Sequence, residues 1–342
     1  MNAILAAVTI LLGFGYAFVN GYHDGGNVIA TIIASRSIKV RQAFIIGCLA
    51  EFFGAIVLGT AVAKTIGTGI VIEPIILESG ELIGTLFIIC AIAGSIVWNL
   101  ITAVLGLPSS SSHALMGGLL GAGIAAFGFN AINWTGFMLK IMLVMFASPI
   151  LGFLIGFAVM KLFQKILINH TKKTVEKQIK KAQWFSVAGL ALSHGSSDSQ
   201  KAMGLIALEL MVLHISSEFI VPWWTILGCA TMISLGMSVG GWKIMHTVGR
   251  KLYKIEPVHS LTSQLAAASI IAVATLTGLP VSTTQIVTSS VMGVGAAENP
   301  KKVKWIVANK IVASWFITIP AAAAVSGILM KSMLSLSVWI GF

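Results

Sequence analysis

The sequence predicts an all-α polytopic membrane protein made of two inverted repeats, with some helices broken or folded back as re-entrant hairpins. Three observations carry this. First, 57% of the 342 residues are hydrophobic and only 10% are charged, with a mean hydropathy of +0.95; a soluble domain carries about 25% charged residues. Second, the apolar stretches are continuous, as between Leu82 and Leu139, where no charged residue occurs. That suits membrane helices and excludes the alternating strands of a β-barrel. Third, GLPSSSSHALMGGLLGAG at 106–123 returns as GLPVSTTQIVTSSVMGVG at 278–295, an offset of 172 residues. A proline followed by a hydroxyl run breaks a helix and bares backbone N–H groups. At membrane depth this is tolerated only inside protein or at a cavity.

The first apolar element covers about 2–35, and its polar centre near Asn20–Asn27 predicts an interruption. Its start has no basic leader and no fitting Ala-x-Ala site, so it reads as a span and not a signal peptide. The next, about 42–63, follows a basic loop and holds one acid, Glu51. Elements over about 82–105 and 113–129 flank the first hydroxyl run, and a fifth covers 134–160. The segment 161–183 is rich in lysine and reads as a cytoplasmic linker between repeats at 1–160 and 184–342. The second half then runs through 184–213, interrupted near His194–Lys201, and on through 222–242, 261–277, 285–298 and 305–330.

Charge sets the expected orientation. The loop with Arg36, Lys39 and Arg41 falls inside, whereas 65–81 carries Glu73, Glu78 and Glu81 without a basic residue and falls outside. The linker, the 243–254 loop and Lys301–Lys304 fall inside, which leaves both termini outside. The net charge of +11 belongs to these loops and does not indicate nucleic acid. Cys48, Cys90 and Cys229 lie singly in apolar helices as packing residues.

The duplication extends further. Trp134 matches Trp305 and Pro149 matches Pro320 at an offset of 171, and AFVNGYHDGGN at 17–27 aligns with ALSHGSSDSQK at 191–201 at 174. Asn20 then meets His194, and Asp24 meets Asp198. An odd number of elements per half inverts one repeat against the other, and paired breaks at such an interface mark a transporter site.

Asp24 and Asp198 are the first candidates for chemistry. A mid-membrane carboxylate costs about 2.5–3.5 kcal/mol on insertion scales, so each should face a cavity or partner. Gly21, Gly25, Gly26 and Gly195 permit unwound backbone beside them, whose carbonyls suit a hard cation. The bland alternative is a surface aspartate capping a helix. The runs Ser109–Ser112 and Ser282–Thr284 precede small-residue helices whose starts attract anions through N–H groups and dipole; ordinary N-capping is the alternative. Glu51 and Lys201 read as supporting groups, and Lys201 falls one turn after Asp198. His23, His113 and His194 show no metal-ligand spacing and suit hydrogen-bonding roles. Two acids and an oxyanion in a low-dielectric site are untenable without cations, which favours symport over a passive pore. No nucleotide loop, nucleophile elbow or metal motif supports an enzyme.

NGYHDGGNVIAT at 20–31, GLPSSSSH at 106–113, HGSSDSQKAMG at 194–204 and GLPVSTTQ at 278–285 resemble the paired signatures of the inorganic phosphate transporter family, across essentially the whole chain. The resemblance implies an inverted-repeat fold and uptake of phosphate with Na⁺ or H⁺. It also implies a transport site at Asp24 and Asp198, with the family's glutamate falling on Glu51. Departures are His23 and Lys201, where many members carry Asn, and Gln264, where some carry Glu. The short linker implies a prokaryotic inner-membrane protein.

The expected site therefore holds phosphate on Ser110, Ser111, Ser112, Ser282, Thr283, Thr284 and Asn27, and a cation, Na⁺ or H⁺, on Asp24 and Asp198 with Asn20 and Gln200. Glu51, Lys201, His194, His23 and Gln264 stand behind them. The partners are phosphate, the co-ion and the lipid bilayer, with a homodimer admitted. A sulfate permease on the same scaffold and an anion channel remain as alternatives.

Overall fold

The computed structural model describes residues 2–168 and 172–340. The chain is a multi-pass helical membrane protein. In the first half α1 (Asn2–Ala34) and α2 (Val40–Val57) lead through short α3 (Ala61–Thr68) and α4 (Glu73–Glu78) to α5 (Glu81–Leu105) and α6 (Ser111–Phe127). Then α7 (Trp134–Gly136) passes through a π-helical stretch, Phe137–Met142, into α8 (Leu143–Leu167). The second half holds α9 (Lys172–Val212), α10 (Trp223–Val239), α11 (Trp242–His246) with a π-helical stretch Thr247–Lys251, α12 (Pro257–Leu276), α13 (Thr283–Glu298) and α14 (Trp305–Ile340). Among the described residues six helices are long and apolar enough to span a membrane, and a seventh span is the pair Trp223–Val239 and Trp242–Lys251, bent by 60°.

Both hydroxyl runs are real breaks. At the end of α5, Gly106 takes φ 66°, its N–H bonding the Ala103 carbonyl and that of Leu107 the Thr102 carbonyl. After α12, Gly278 takes φ 72°, with the same two bonds to Thr275 and Ala274. A left-handed glycine closing these bonds ends a helix cleanly. Pro108 and Pro280 then keep the chain extended until α6 and α13 begin. Those helices start at Ser111 and Thr283, so the hydroxyls occupy their first turns.

The interruptions expected near Asn20–Asn27 and His194–Lys201 are absent. α1 and α9 run unbroken for 33 and 41 residues, and no residue in either stretch has positive φ. The glycines there serve close packing instead of unwinding. A Cβ on Gly21 would collide with the Ile233 carbonyl of α10, and one on Gly195 with the Glu51 carbonyl of α2. The segment expected as a linker, 161–183, is largely helical, continuing α8 and opening α9.

Two apolar cores flank a polar layer. One gathers Tyr16 and Ala17 of α1, Leu115 and Met116 of α6, and Ala202–Leu208 of α9. The other gathers Val28–Ile32 of α1, Val187–Ala191 of α9, and Ile286 and Val287 of α13. Between them lie residues 18–27 of α1 and 192–201 of α9. The polar layer is thus bracketed by hydrophobic packing that excludes water and strengthens every charge interaction inside it.

Candidate functional site

Asp24 and Asp198 are both buried on the unbroken α1 and α9, and each is met by hydroxyls from the helix starts. Asp24 Oδ1 lies 2.7 Å from His23 Nδ1 and accepts from Thr284 Oγ1 at 2.6 Å. Its other oxygen accepts a hydrogen bond from Ser111 Oγ. One carboxylate therefore bridges the first turns of α6 and α13. Asp198 Oδ1 accepts from Lys201 Nζ at 2.6 Å and from Thr283 Oγ1 at 3.3 Å, while Oδ2 lies 3.4 Å from His194 Nε2. His194 also places Nδ1 2.6 Å from Glu51 Oε1.

The two acids lie close together. Ligand atoms of Asp24, His194 and Asp198 all fall within 4.8 Å of one another, a donor set able to hold a small cation. The repeat pairs the two acids in the sequence, and His194, one turn before Asp198 on α9, joins them.

The hydroxyl residues divide by role. Ser110 and Ser282 are N-caps, accepting from the N–H groups of His113 and Gln285 at 3.1 and 3.3 Å. For these two the capping alternative describes what their oxygens do. Ser111, Ser112, Thr283 and Thr284 carry the leftover first-turn N–H groups and point hydroxyls at the charged layer. Ser112 Oγ receives Lys201 Nζ at 2.6 Å and donates to the Val281 carbonyl at 3.0 Å, joining the two hairpin tips. Asn27 Nδ2 donates to Thr284 Oγ1 at 3.0 Å, and Asn27 Oδ1 is buried with no partner among the described residues.

Two other expected residues stand apart from this layer. Gln200 turns its carbonyl oxygen to the N–H groups of Val62 and Ala63, at 2.8 and 3.4 Å, and so caps α3. Gln264 accepts from Ser186 Oγ at 2.6 Å, twelve residues before Asp198 and so about 18 Å away along α9. Asn20 is buried near the acids, and its Oδ1 accepts from Asn99 Nδ2 at 3.5 Å.

Other residues close the layer, Thr102, Tyr16 and Trp315 among them unforeseen. Thr102 and Ser109 lie 3.0 and 3.3 Å from His23 Nε2, fixing the ring that faces Asp24. Tyr16 donates to the Ser111 carbonyl at 3.2 Å, and Trp315 Nε1 holds the Pro108 carbonyl at 3.0 Å. His113 and Gln285 touch at 3.3 Å. That pair was recoverable, since the two residues share the offset of 172.

The Phosphate transporter family model matches residues 20–175 and 167–326. A probable low-affinity inorganic phosphate transporter of Bacillus subtilis (strain 168) is 41% identical over 327 residues, 95% of this chain and 96% of that one. A protein of the same description from Rhizobium meliloti (strain 1021) is 38% identical over 320 residues, 93% of each chain. Among solved structures, one described as the sodium-dependent phosphate transporter aligns with a TM-score of 0.88 at 28% identity, covering 97% of this chain and 99% of that one. These relatives are transporters and not enzymes, and the chain belongs to the phosphate transporter family.

Proposed function

We propose that this protein carries inorganic phosphate across the cytoplasmic membrane by symport with Na⁺ or H⁺, from a site between two inverted repeats, 1–160 and 184–342. The observation that carries the reading is the Asp24 carboxylate bridging the first turns of α6 and α13. Phosphate is held by the leftover N–H groups and hydroxyls of Ser111, Ser112, Thr283 and Thr284, with Asn27 alongside. Ser110 and Ser282 keep those turns in shape. The cation is held by Asp24 and Asp198, with His194 beside them. The neighbour described as sodium-dependent supports Na⁺.

Coupling follows from counting hydrogens. Each hydroxyl has one proton to donate, and those of Ser111 and Thr284 go to Asp24. A cation on Asp24 takes over the carboxylate and releases both hydroxyls toward an anion. Without the cation, phosphate meets an ionised acid and hydroxyls already engaged.

The repeat is supported by packing. α1 rests on α10 and α9 on α2; α6 rests on α14 and α13 on α8. Exchanging α1, α2, α6 and α8 with α9, α10, α13 and α14 maps each pair onto its counterpart. The basic loops support an orientation with the linker inside and both termini outside. Carboxylates that can accept from a P–OH favour phosphate over sulfate, which has no proton to give.

The test is radiolabelled phosphate uptake into proteoliposomes, with Na⁺ and proton gradients imposed separately and sulfate as competitor. Uptake should follow one imposed cation gradient and resist sulfate. Asp24→Asn and Asp198→Asn should each abolish coupled uptake in protein that still elutes as a folded species. Wild-type cation dependence in both variants would remove the acids from the site.

A further inference from the structure

Two positions that match in the repeat are chemically unlike. Asn27 and Lys201 correspond at the offset of 174, as do Thr284 and Ser112 at 172. Each long side chain donates to the hydroxyl of the opposite hairpin: Asn27 to Thr284 at 3.0 Å, Lys201 to Ser112 at 2.6 Å. The geometry is conserved between the halves, but one half carries a full positive charge there and the other a neutral amide.

Lys201 is buried and reaches Asp198 Oδ1 at 2.6 Å. The matching acid, Asp24, has no ammonium; its fixed neighbours are His23, Ser111 and Thr284. Beside Thr284, Asn27 Oδ1 is buried and unpartnered among the described residues. Of the other ionisable groups in the layer, His194 faces both Glu51 at 2.6 Å and Asp198 at 3.4 Å, and Tyr16 donates to the Ser111 carbonyl. A buried carboxylate needs a counter-charge. Asp198 has an ammonium built in, whereas Asp24 has only the His23 imidazole at 2.7 Å, which carries charge only when protonated.

We propose that Lys201 is a tethered counter-cation: its ammonium offsets the charge of Asp198 permanently, so that the mobile co-ion between the two acids need only answer the charge of Asp24. This rests on the symport reading above. It makes Lys201 the residue that sets how many cations accompany each phosphate. A chain with a neutral residue at 201 would need one more mobile cation to load the same anion.

The experiment uses purified full-length protein and inorganic phosphate. Apparent phosphate affinity is measured across a NaCl series balanced with choline chloride, and separately across pH without Na⁺. The slope of log affinity against log cation activity counts the cations taken up with the anion. In Lys201→Asn the slope should rise by one, so that each tenfold rise in the co-ion improves phosphate affinity about tenfold more than in wild type. Lys201→Gln should do the same. The exchange Asn27→Lys with Lys201→Asn moves the charge to the other half and should return the wild-type slope. An unchanged slope in both single variants overturns the proposal, as does loss of phosphate binding at every cation concentration. Failure of both variants to fold even at high cation concentration also counts against it, because a mobile cation should replace the missing charge. Wild-type protein that binds no phosphate at any cation concentration overturns the symport reading as well, and is thereby distinct from the other outcomes.

Discussion

Thr284→Val tests the competition between acid and anion for a single hydroxyl. Valine keeps the shape of threonine, so α13 retains its packing while one donor disappears. In the structure that donor reaches Asp24 Oδ1 at 2.6 Å and also receives Asn27 Nδ2 at 3.0 Å. A hydrogen bond to a charged group contributes about 1.5–3 kcal/mol, or roughly ten- to a hundred-fold in affinity. Removing it destabilises the cation-free state, in which the bond is made to Asp24, so cation binding without phosphate should tighten by up to that factor. With cation saturating, the same hydroxyl serves phosphate, so phosphate binding should weaken by a similar factor. The two affinities move in opposite directions, and the coupling between them shrinks. Isothermal titration of the co-ion without phosphate, and of phosphate at saturating co-ion, measures both. If the two constants weaken together, the hydroxyl supports both ligands and does not pass between them. If neither changes, the hydroxyl runs are caps only.

Three further outcomes are expected. A cysteine at Lys165, or at Thr171, which lies outside the described residues, should resist an impermeant thiol reagent on intact cells, whereas a C-terminal tag should be reachable; labelling at either cysteine reverses the orientation. Gly195→Ala should lower the unfolding temperature in detergent by several degrees, since its Cβ would sit 2.5 Å from Glu51 Cα and overpacking costs about 1–3 kcal/mol. Gly189→Ala, with nothing within 4 Å, should leave that temperature nearly unchanged, and equal effects from the two would discard the close-packing role. Gln200→Ala should loosen α3 without altering the cation slope, because its carbonyl caps Val62 and Ala63; a changed slope would return Gln200 to the cation site.

What the sequence made legible was local signal and its return at an offset of about 172 residues. The hydroxyl breaks carry their own signal, a Gly-Leu-Pro followed by hydroxyls, and both became left-handed glycine caps as such residues require. The acids were visible because a lone aspartate in an apolar run is costly. The state of the backbone around them was not. Gly21 and Gly195 are compatible with an unwound strand and with a tight helix crossing, and only the Ile233 and Glu51 carbonyls opposite them decide for the crossing. Gln200 and Gln264 show the same limit: both lie near motif residues in the chain, yet their partners on α3 and at Ser186 take them out of the charged layer. His194 entered the acid cluster for the converse reason. Its i,i+4 spacing to Asp198 is a helix-face contact, but its other partner, Glu51, lies 143 residues away on α2, a separation that no spacing rule addresses.

The backbone that results divides the chemistry between different helix pairs. The acids ride on α1 and α9, whose register against α10 and α2 is fixed where glycines meet carbonyls closely. The anion-facing donors sit instead at helix starts, on tips tied to the opposite half through hydroxyls: Thr65 Oγ1 to the Gly278 carbonyl at 2.8 Å, and Thr247 Oγ1 to the Gly106 carbonyl at 3.0 Å. Each such neutral bond contributes only about 0.5–1.5 kcal/mol. The helices behind the tips are packed as closely as α1 and α9, with Gly121 of α6 against the Ala323 carbonyl and Gly293 of α13 against that of Phe153, so a tip moves together with the partner its helix rests on, α14 or α8. A cation site made of side chains on locked helices keeps its geometry when a tip moves, whereas an anion site made of first-turn N–H groups does not. Placing the two sites on separately packed helix pairs allows the hydroxyls at the tips to report on the carboxylates while the carboxylates stay where they are.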